Sequence, residues 1–243
     1  MKKSVLLSLV AVAGAASSAL AQNANVRVFH GSPDAPAVDV VVNDGNPPAV
    51  QNLAFRSVTG YLTLPAATYN FKVRPAGLPG PDVINANVPL ASSTTYTVAA
   101  INTLSSIAPA VFVDDNTLDA LNARIRFIHA SPNAPAVDIG VQGGGVLFSN
   151  VTFGNSGGYI SVPGGVYNLE VRLAGTSTVV LPLPGLSVSN NTVYTAWAVG
   201  LVGGTGNQAL DAQITQDAVI PAPAAIPALL GGALVAFRRR RAA

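Results

Sequence analysis

The sequence predicts an all-β protein of two tandem β-sandwich domains, and three observations carry that reading. The body of the chain alternates apolar and polar residues with a period of two, as in Val26, Val28 and His30 against Arg27 and Phe29. Prolines and glycines (Pro33, Pro36, Pro47, Pro48, Gly60, Pro65 and Gly77 in the first half) break these runs at short intervals, and no stretch of the body holds a helical period. The third observation is a duplication: His30-Gly-Ser-Pro-Asp-Ala-Pro-Ala-Val-Asp39-Val40 returns as His129-Ala-Ser-Pro-Asn-Ala-Pro-Ala-Val-Asp138-Ile139.

The duplication sets the domain organisation. Gly60-Tyr61, Tyr69-Asn70 and Val73-Arg74 recur as Gly158-Tyr159, Tyr167-Asn168 and Val171-Arg172, and Thr95-Tyr96-Thr97 as Val193-Tyr194-Thr195. Two units follow, 22–118 and 123–217. About seven short strands per unit point to an antiparallel sandwich of immunoglobulin-like type. Leu90 followed by Thr95-Tyr96, and Val188 followed by Tyr194, have the spacing of a tyrosine corner, in which a Tyr hydroxyl ties a loop to the strand it enters.

The two ends differ from the body. Residues 1–21 read as a secretory signal: Lys2 and Lys3 supply the positive start, Val5–Ala16 the apolar stretch, and Ala19-Leu20-Ala21 a cleavage site before Gln22. Residues 221–243 begin with Pro221-Ala222-Pro223, continue through a short apolar helix ending at Phe237, and close with Arg238, Arg239, Arg240 and Arg241. The proline-free stretch Ala228–Phe237 reaches roughly 15 Å as a helix, half of a ~30 Å hydrocarbon core. The arginines orient it with the body on the outer side.

Charge sharpens the picture. The 243-residue chain is only 10% charged, against about 25% for an ordinary globular chain. Its net +2 misleads, because six of its 13 basic residues lie in the two ends and all 11 acids lie between them. The body therefore carries seven basic against 11 acidic residues, net −4, which argues against nucleic acid as a partner. The absence of cysteine excludes disulfides, thiolate nucleophiles and Cys-ligated metals, leaving apolar burial to hold the sandwiches.

Each candidate site has a chemical and a plain alternative. His30, Ser32 and Asp39, mirrored by His129, Ser131 and Asp138, are the residue types of a nucleophile–base–orienter set. Their placement favours structure: the histidine ends an inward-facing strand, and Ser32-Pro33 lies in a turn where its hydroxyl bonds backbone. No catalytic residue is assigned. Asp34 and its counterpart Asn133 suit an Asx-turn. Arg27–Asp39 and Arg126–Asp138 are expected to be cross-strand charge pairs if their strands form a hairpin.

Asp114, Asp115 and Asp119 lack calcium-loop spacing and read as a solvated acidic linker, so no metal or other cofactor is expected. The three tyrosine pairs read as core and corner positions, with a sugar-stacking platform as the alternative. Trp197, opposite Ala99 in the repeat, is expected to pack. Lys72 and Glu170, equivalent but opposite in sign, suggest a tolerant exposed face.

The paired HxSPxAPAVD strings, each followed by the Gly-Tyr and Tyr-Asn strands, resemble the bacterial domain-of-unknown-function family forty-three ninety-seven over essentially the whole body. That resemblance implies an exported β-sandwich with no established enzymatic activity. The last 23 residues resemble a PEP-CTERM sorting signal, with Ala222 in place of the usual Glu. This second resemblance implies processing by an exosortase-type membrane protease, transient membrane association through the tail, and delivery to the surface.

The expected protein is therefore an exported, non-enzymatic structural or adhesive component of the cell surface or extracellular matrix. Signal peptidase would process it, extracellular polysaccharide or surface proteins would be its partners, and its place would be the cell surface or exterior, including the outer membrane, of a bacterium with two membranes. The alternatives are a carbohydrate- or peptide-binding module and, remotely, a secreted hydrolase.

Overall fold

A computed structural model describes residues 22–78 and 80–219. Ala19, Ala21, Pro221, Pro223 and Arg238–Arg241, on which the export and sorting readings rest, lie outside the described residues. The described chain is two tandem β-sandwiches. The first comprises β1 (Asn23–His30), β2 (Val38–Val42), β3 (Val50–Leu53), β4 (Leu62–Pro65), β5 (Ala67–Pro75), β6 (Ile84–Leu90), β7 (Thr95–Ile101) and β8 (Ala108–Asp114). The second repeats them as β9 (Ala123–His129), β10 (Val137–Val141), β11 (Val146–Val151), β12 (Ser156–Val162), β13 (Gly165–Leu173), β14 (Val179–Val188), β15 (Thr192–Val199) and β16 (Asp211–Val219).

Each unit thus has eight strands rather than about seven. The sheets run β4-β1-β7-β8 and β3-β2-β5-β6 in the first unit, and β12-β9-β15-β16 and β11-β10-β13-β14 in the second. The pairing is not wholly antiparallel, because β1 runs parallel to β7, and β9 to β15. Since β1 and β2 fall in opposite sheets, they form no hairpin.

Burial explains how the four sheets are layered. β6 alternates buried and exposed residues, with Ile84, Val88 and Leu90 inward, as a strand with one solvated face does. By contrast β1, β7, β9 and β15 are buried on both faces almost throughout. One face of β1 (Ala24, Val26, Val28) joins Val38, Val40, Phe71 and Val98 in the core of the first sandwich. The other face presents Phe29, which joins Ala99, Ile101 and Phe112 against Ile128, Ala130, Trp197 and Val199 of the second. The sheets β4-β1-β7-β8 and β12-β9-β15-β16 therefore pack on each other, and the domain boundary is itself an apolar core.

Candidate functional site

The duplicated motif is spent within the fold. His30 and His129 are fully buried, and their Nε2 atoms donate to Pro36 O (2.9 Å) and Pro135 O (3.0 Å). Because a carbonyl only accepts, Nε2 carries the proton, and Nδ1 of His30 accepts the Ser32 backbone N–H at 3.3 Å. Each imidazole thus closes its own proline-rich loop. Burial pushes both imidazoles below their ordinary pKa, with the carbonyl contacts opposing.

The serines meet neither imidazole through their hydroxyls. Ser131 donates to Gly200 O at 2.7 Å, as a turn hydroxyl should, whereas Ser32 Oγ is buried with no partner among the described residues. The aspartates point elsewhere again. Asp39 accepts the backbone N–H groups of Asn52 (2.8 Å) and Gly77 (3.1 Å), and Asp138 those of Asn150 (2.6 Å) and Gly175 (2.8 Å). All four donors sit at positive φ, from 50° to 72°, so each carboxylate holds two left-handed turns on neighbouring chain segments. The two backbone donors, Asn150 first, hold the Asp138 carboxyl below the usual carboxylate range. No nucleophile–base–orienter chain exists in either copy.

Several expectations need correction. Arg27 and Arg126 do not pair with Asp39 and Asp138, which lie in the opposite sheet. They turn to the domain boundary and cross it. Arg27 Nη2 lies 2.7 Å from Asp217 Oδ1, and Arg126 Nη2 lies 2.7 Å from Asp114 Oδ1. The cross-distances are 3.6 Å for Arg27–Asp114 and 3.7 Å for Arg126–Asp217. The Arg27–Asp217 contact is a charge contact whose N–H bonds aim poorly at the oxygen, whereas Arg126 makes an aligned hydrogen bond to Asp114.

Repeat-equivalent residues complete this quartet. Thr97 Oγ1 accepts from Arg27 Nε (2.8 Å) and donates to Asp114 (2.6 Å), while Thr195 accepts from Arg126 Nε (3.1 Å) and donates to Asp217. The Tyr61 ring lies under the Arg27 guanidinium and the Tyr159 ring under that of Arg126, each 4.9 Å from centroid to Cζ. Burial first, then Asp114, raises the Tyr61 phenol; burial pushes Tyr159 up to about 12. Burial alone would lower the Arg27 pKa, but Asp217, Tyr61 and Asp114 outweigh it and raise it.

Asp114 is consequently no part of a solvated linker: its side chain is fully buried because the second domain covers it. Asp115 remains at the surface, where hydrogen bonds from Arg124 and Thr117 hold its carboxyl well below the usual range. Glu170 is also buried, paired with Arg172, unlike its counterpart Lys72, which reaches Asp44. Asp34 and Asn133 bond across the sandwich rather than within their own turns: Asp34 accepts Leu104 N–H (2.7 Å), and Asn133 exchanges two bonds with Val202. Apolar burial is therefore not the only force holding the sandwiches.

The remaining aromatics are structural. Tyr96 and Tyr194 accept the N–H groups of Ala91 (3.1 Å) and Ser189 (3.2 Å), closing the two corners. Tyr69 and Tyr167 donate to Pro65 O and Pro163 O. Trp197 is fully buried, stacked 4.0 Å from Phe29 and edge-on to Phe112 at 5.8 Å. Ala99, in the matching position of the first unit, lies in the same buried cluster. Among the described residues no three His, Asp or Glu side chains converge as a metal site requires.

A family model described as "Domain of unknown function (DUF4397)" matches residues 24–140 and again 123–228. The chain belongs to the DUF4397 family. Both matches share residues 123–140, the segment holding the second HxSPxAPAVD string. The second match runs to residue 228 and includes Pro221-Ala222-Pro223, the first part of the tail. The matches support the DUF4397 family in two tandem copies, and Arg238–Arg241 lie beyond them.

No curated protein matches this DUF4397 chain. Distantly similar solved structures include one protein of Bacillus anthracis and one of Eubacterium rectale. The Bacillus anthracis TIE protein is 11% identical with a TM-score of 0.26, over 74% of this chain and 33% of that one. The DUF4397 chain thus spans about a third of that protein's length. The family CBM26 module CBMbc of Eubacterium rectale Amy13K, in complex with maltoheptaose, is 11% identical with a TM-score of 0.26, over 84% of this chain and 99% of that one. Likeness this slight carries no argument about activity.

Proposed function

We propose that this chain is an exported, non-enzymatic structural or adhesive component of a bacterial surface or extracellular polymer. The observation that carries this reading is the fate of the duplicated motif: in both copies its histidine, serine and aspartate are buried and directed into the fold. The domain boundary supports it. Burying Phe29, Phe112 and Trp197 around a charge quartet joins the two sandwiches into one body suited to bearing load. Each of the seven basic residues of the body makes an ion pair, which leaves a mildly acidic surface without a cationic patch for nucleic acid. Export rests on the Lys2–Ala21 segment and signal peptidase, and extracellular polysaccharide or surface proteins are the partners. An aromatic sugar platform gains no support, because Tyr61, Tyr159, Tyr96 and Tyr194 are engaged at the boundary and the corners.

Fractionation of producing cells tests the reading. The chain should begin at Gln22 and partition with the outer surface or its polymer, and replacing Arg238–Arg241 by serine should alter its retention. Recovery from the cytoplasm with residues 1–21 intact would overturn export. A hydrolytic turnover abolished by His30→Ala with His129→Ala, in a protein that still folds, would overturn the non-enzymatic reading.

A further inference from the structure

The two sandwiches differ at one end. In the first, six residues (102–107) connect β7 to β8. A single 3-10 turn at Leu104–Ser106 there sets Ile107 against the core. In the second, eleven residues (200–210) connect β15 to β16. Both connections start from the same anchor, Leu104 N–H on Asp34 and Val202 N–H on Asn133. The five extra residues therefore fall between Val202 and Leu210, the counterpart of Ile107. They hold themselves open through Leu201 N–H to Gln208 O (2.8 Å), Leu210 N–H to Leu201 O (3.0 Å) and Gly204 N–H to Leu201 O (3.0 Å).

The consequence is a cavity. Leu210 and Val202 line, rather than fill, a space of about 260 Å³ bounded also by His129, Val137, Leu173 and Ala198. In the first sandwich Ile107, the counterpart of Leu210, packs against the core instead. We propose that this cavity of the second sandwich binds one small, uncharged, largely apolar molecule about the size of a bicyclic aromatic ring. Size sets that limit, since a dry cavity of about 150 Å³ already admits benzene. The lining sets the chemistry. His129 is its one side chain able to hydrogen-bond; Nε2 is committed to Pro135 O, and Nδ1 is a buried acceptor without a partner among the described residues. A charged ligand would lose its hydration with no counter-charge among the lining residues. Entry is open, because Val202 (49% exposed) and Val180 (38%) stand at the rim.

This inference goes beyond the structural role proposed above and does not rest on it. Titration calorimetry of the purified chain with 2-naphthol should show saturable binding at one site per chain. The anion 2-naphthoate should bind at least tenfold more weakly. Ala198→Leu, which places a larger side chain in the cavity from β15, should weaken 2-naphthol at least tenfold. Ala134→Leu, at the loop side of the lining, should do the same and decides the matter alone if Ala198→Leu fails to fold. Binding that does not saturate, exceeds one per chain, favours the naphthoate or ignores the folded variants would overturn the proposal.

Discussion

Arg27 of the first sandwich and Asp217 of the second meet with side chains 2% and 0% exposed, 2.7 Å apart. Arg126 and Asp114, their repeat equivalents with the roles of the domains exchanged, meet at the same distance. The contact is therefore reciprocal, of the kind a two-fold dimer makes when one patch meets a copy of itself, here fused within one chain.

Removing one member should cost far more than the pair contributes. Asp217→Ala leaves the Arg27 guanidinium buried beside Asp114 at 3.6 Å and should destabilise the chain by about 3–5 kcal/mol. Replacing all four charges with Met and Leu should cost less than the sum of the single losses. Guanidinium unfolding of the singles and the quadruple variant measures both.

Trp197 should dominate the apolar half of the boundary. Trp197→Ala removes the stack on Phe29 and the edge contact with Phe112, and should cost about 3–5 kcal/mol. As the sole tryptophan, its emission should shift to the red under any condition that parts the sandwiches.

The buried histidines should make stability depend on pH. In the unfolded chain they titrate near 6.5, and in the folded chain burial holds them lower. Below pH 6.5 the unfolded chain takes up protons that the folded chain refuses, so stability falls with pH down to the depressed native values. The slope should reach about 1.4 kcal/mol per pH unit for each histidine and vanish above neutrality. His129→Gln, which can still donate to Pro135 O, should roughly halve it. A flat profile between pH 5 and 6.5 would contradict the assignment.

Asp138 should be worth more than its surface neighbours. Asp138→Ala strands the Asn150 and Gly175 N–H groups in left-handed turns and should cost about 1–3 kcal/mol. Hydrogen exchange should show those two amides losing protection first, ahead of the β13–β14 ladder.

The strands, the duplication and the tyrosine corners are legible without the structure, because each is written in local spacing. Val26 and Val28 alternate with Arg27 and Phe29 whatever lies around them, and Tyr96 reaches Ala91 within five residues. The sequence carries a further signal: β7 and β15 are apolar or small on both faces, as strands covered on both sides must be. What covers their outer faces is settled by the packing of the two sandwiches. Arg27 finds Asp217 rather than Asp39 because β1 and β2 lie in opposite sheets, a placement that one strand's alternation cannot specify. Asp114 looks like linker in a row of acids, yet the second sandwich buries it against Arg126. The HxSPxAPAVD string is legible as a structural motif, but the partners of its side chains are not. His30 closes a loop onto Pro36 and Asp39 secures two distant turns, contacts that exist only once the strands are in register.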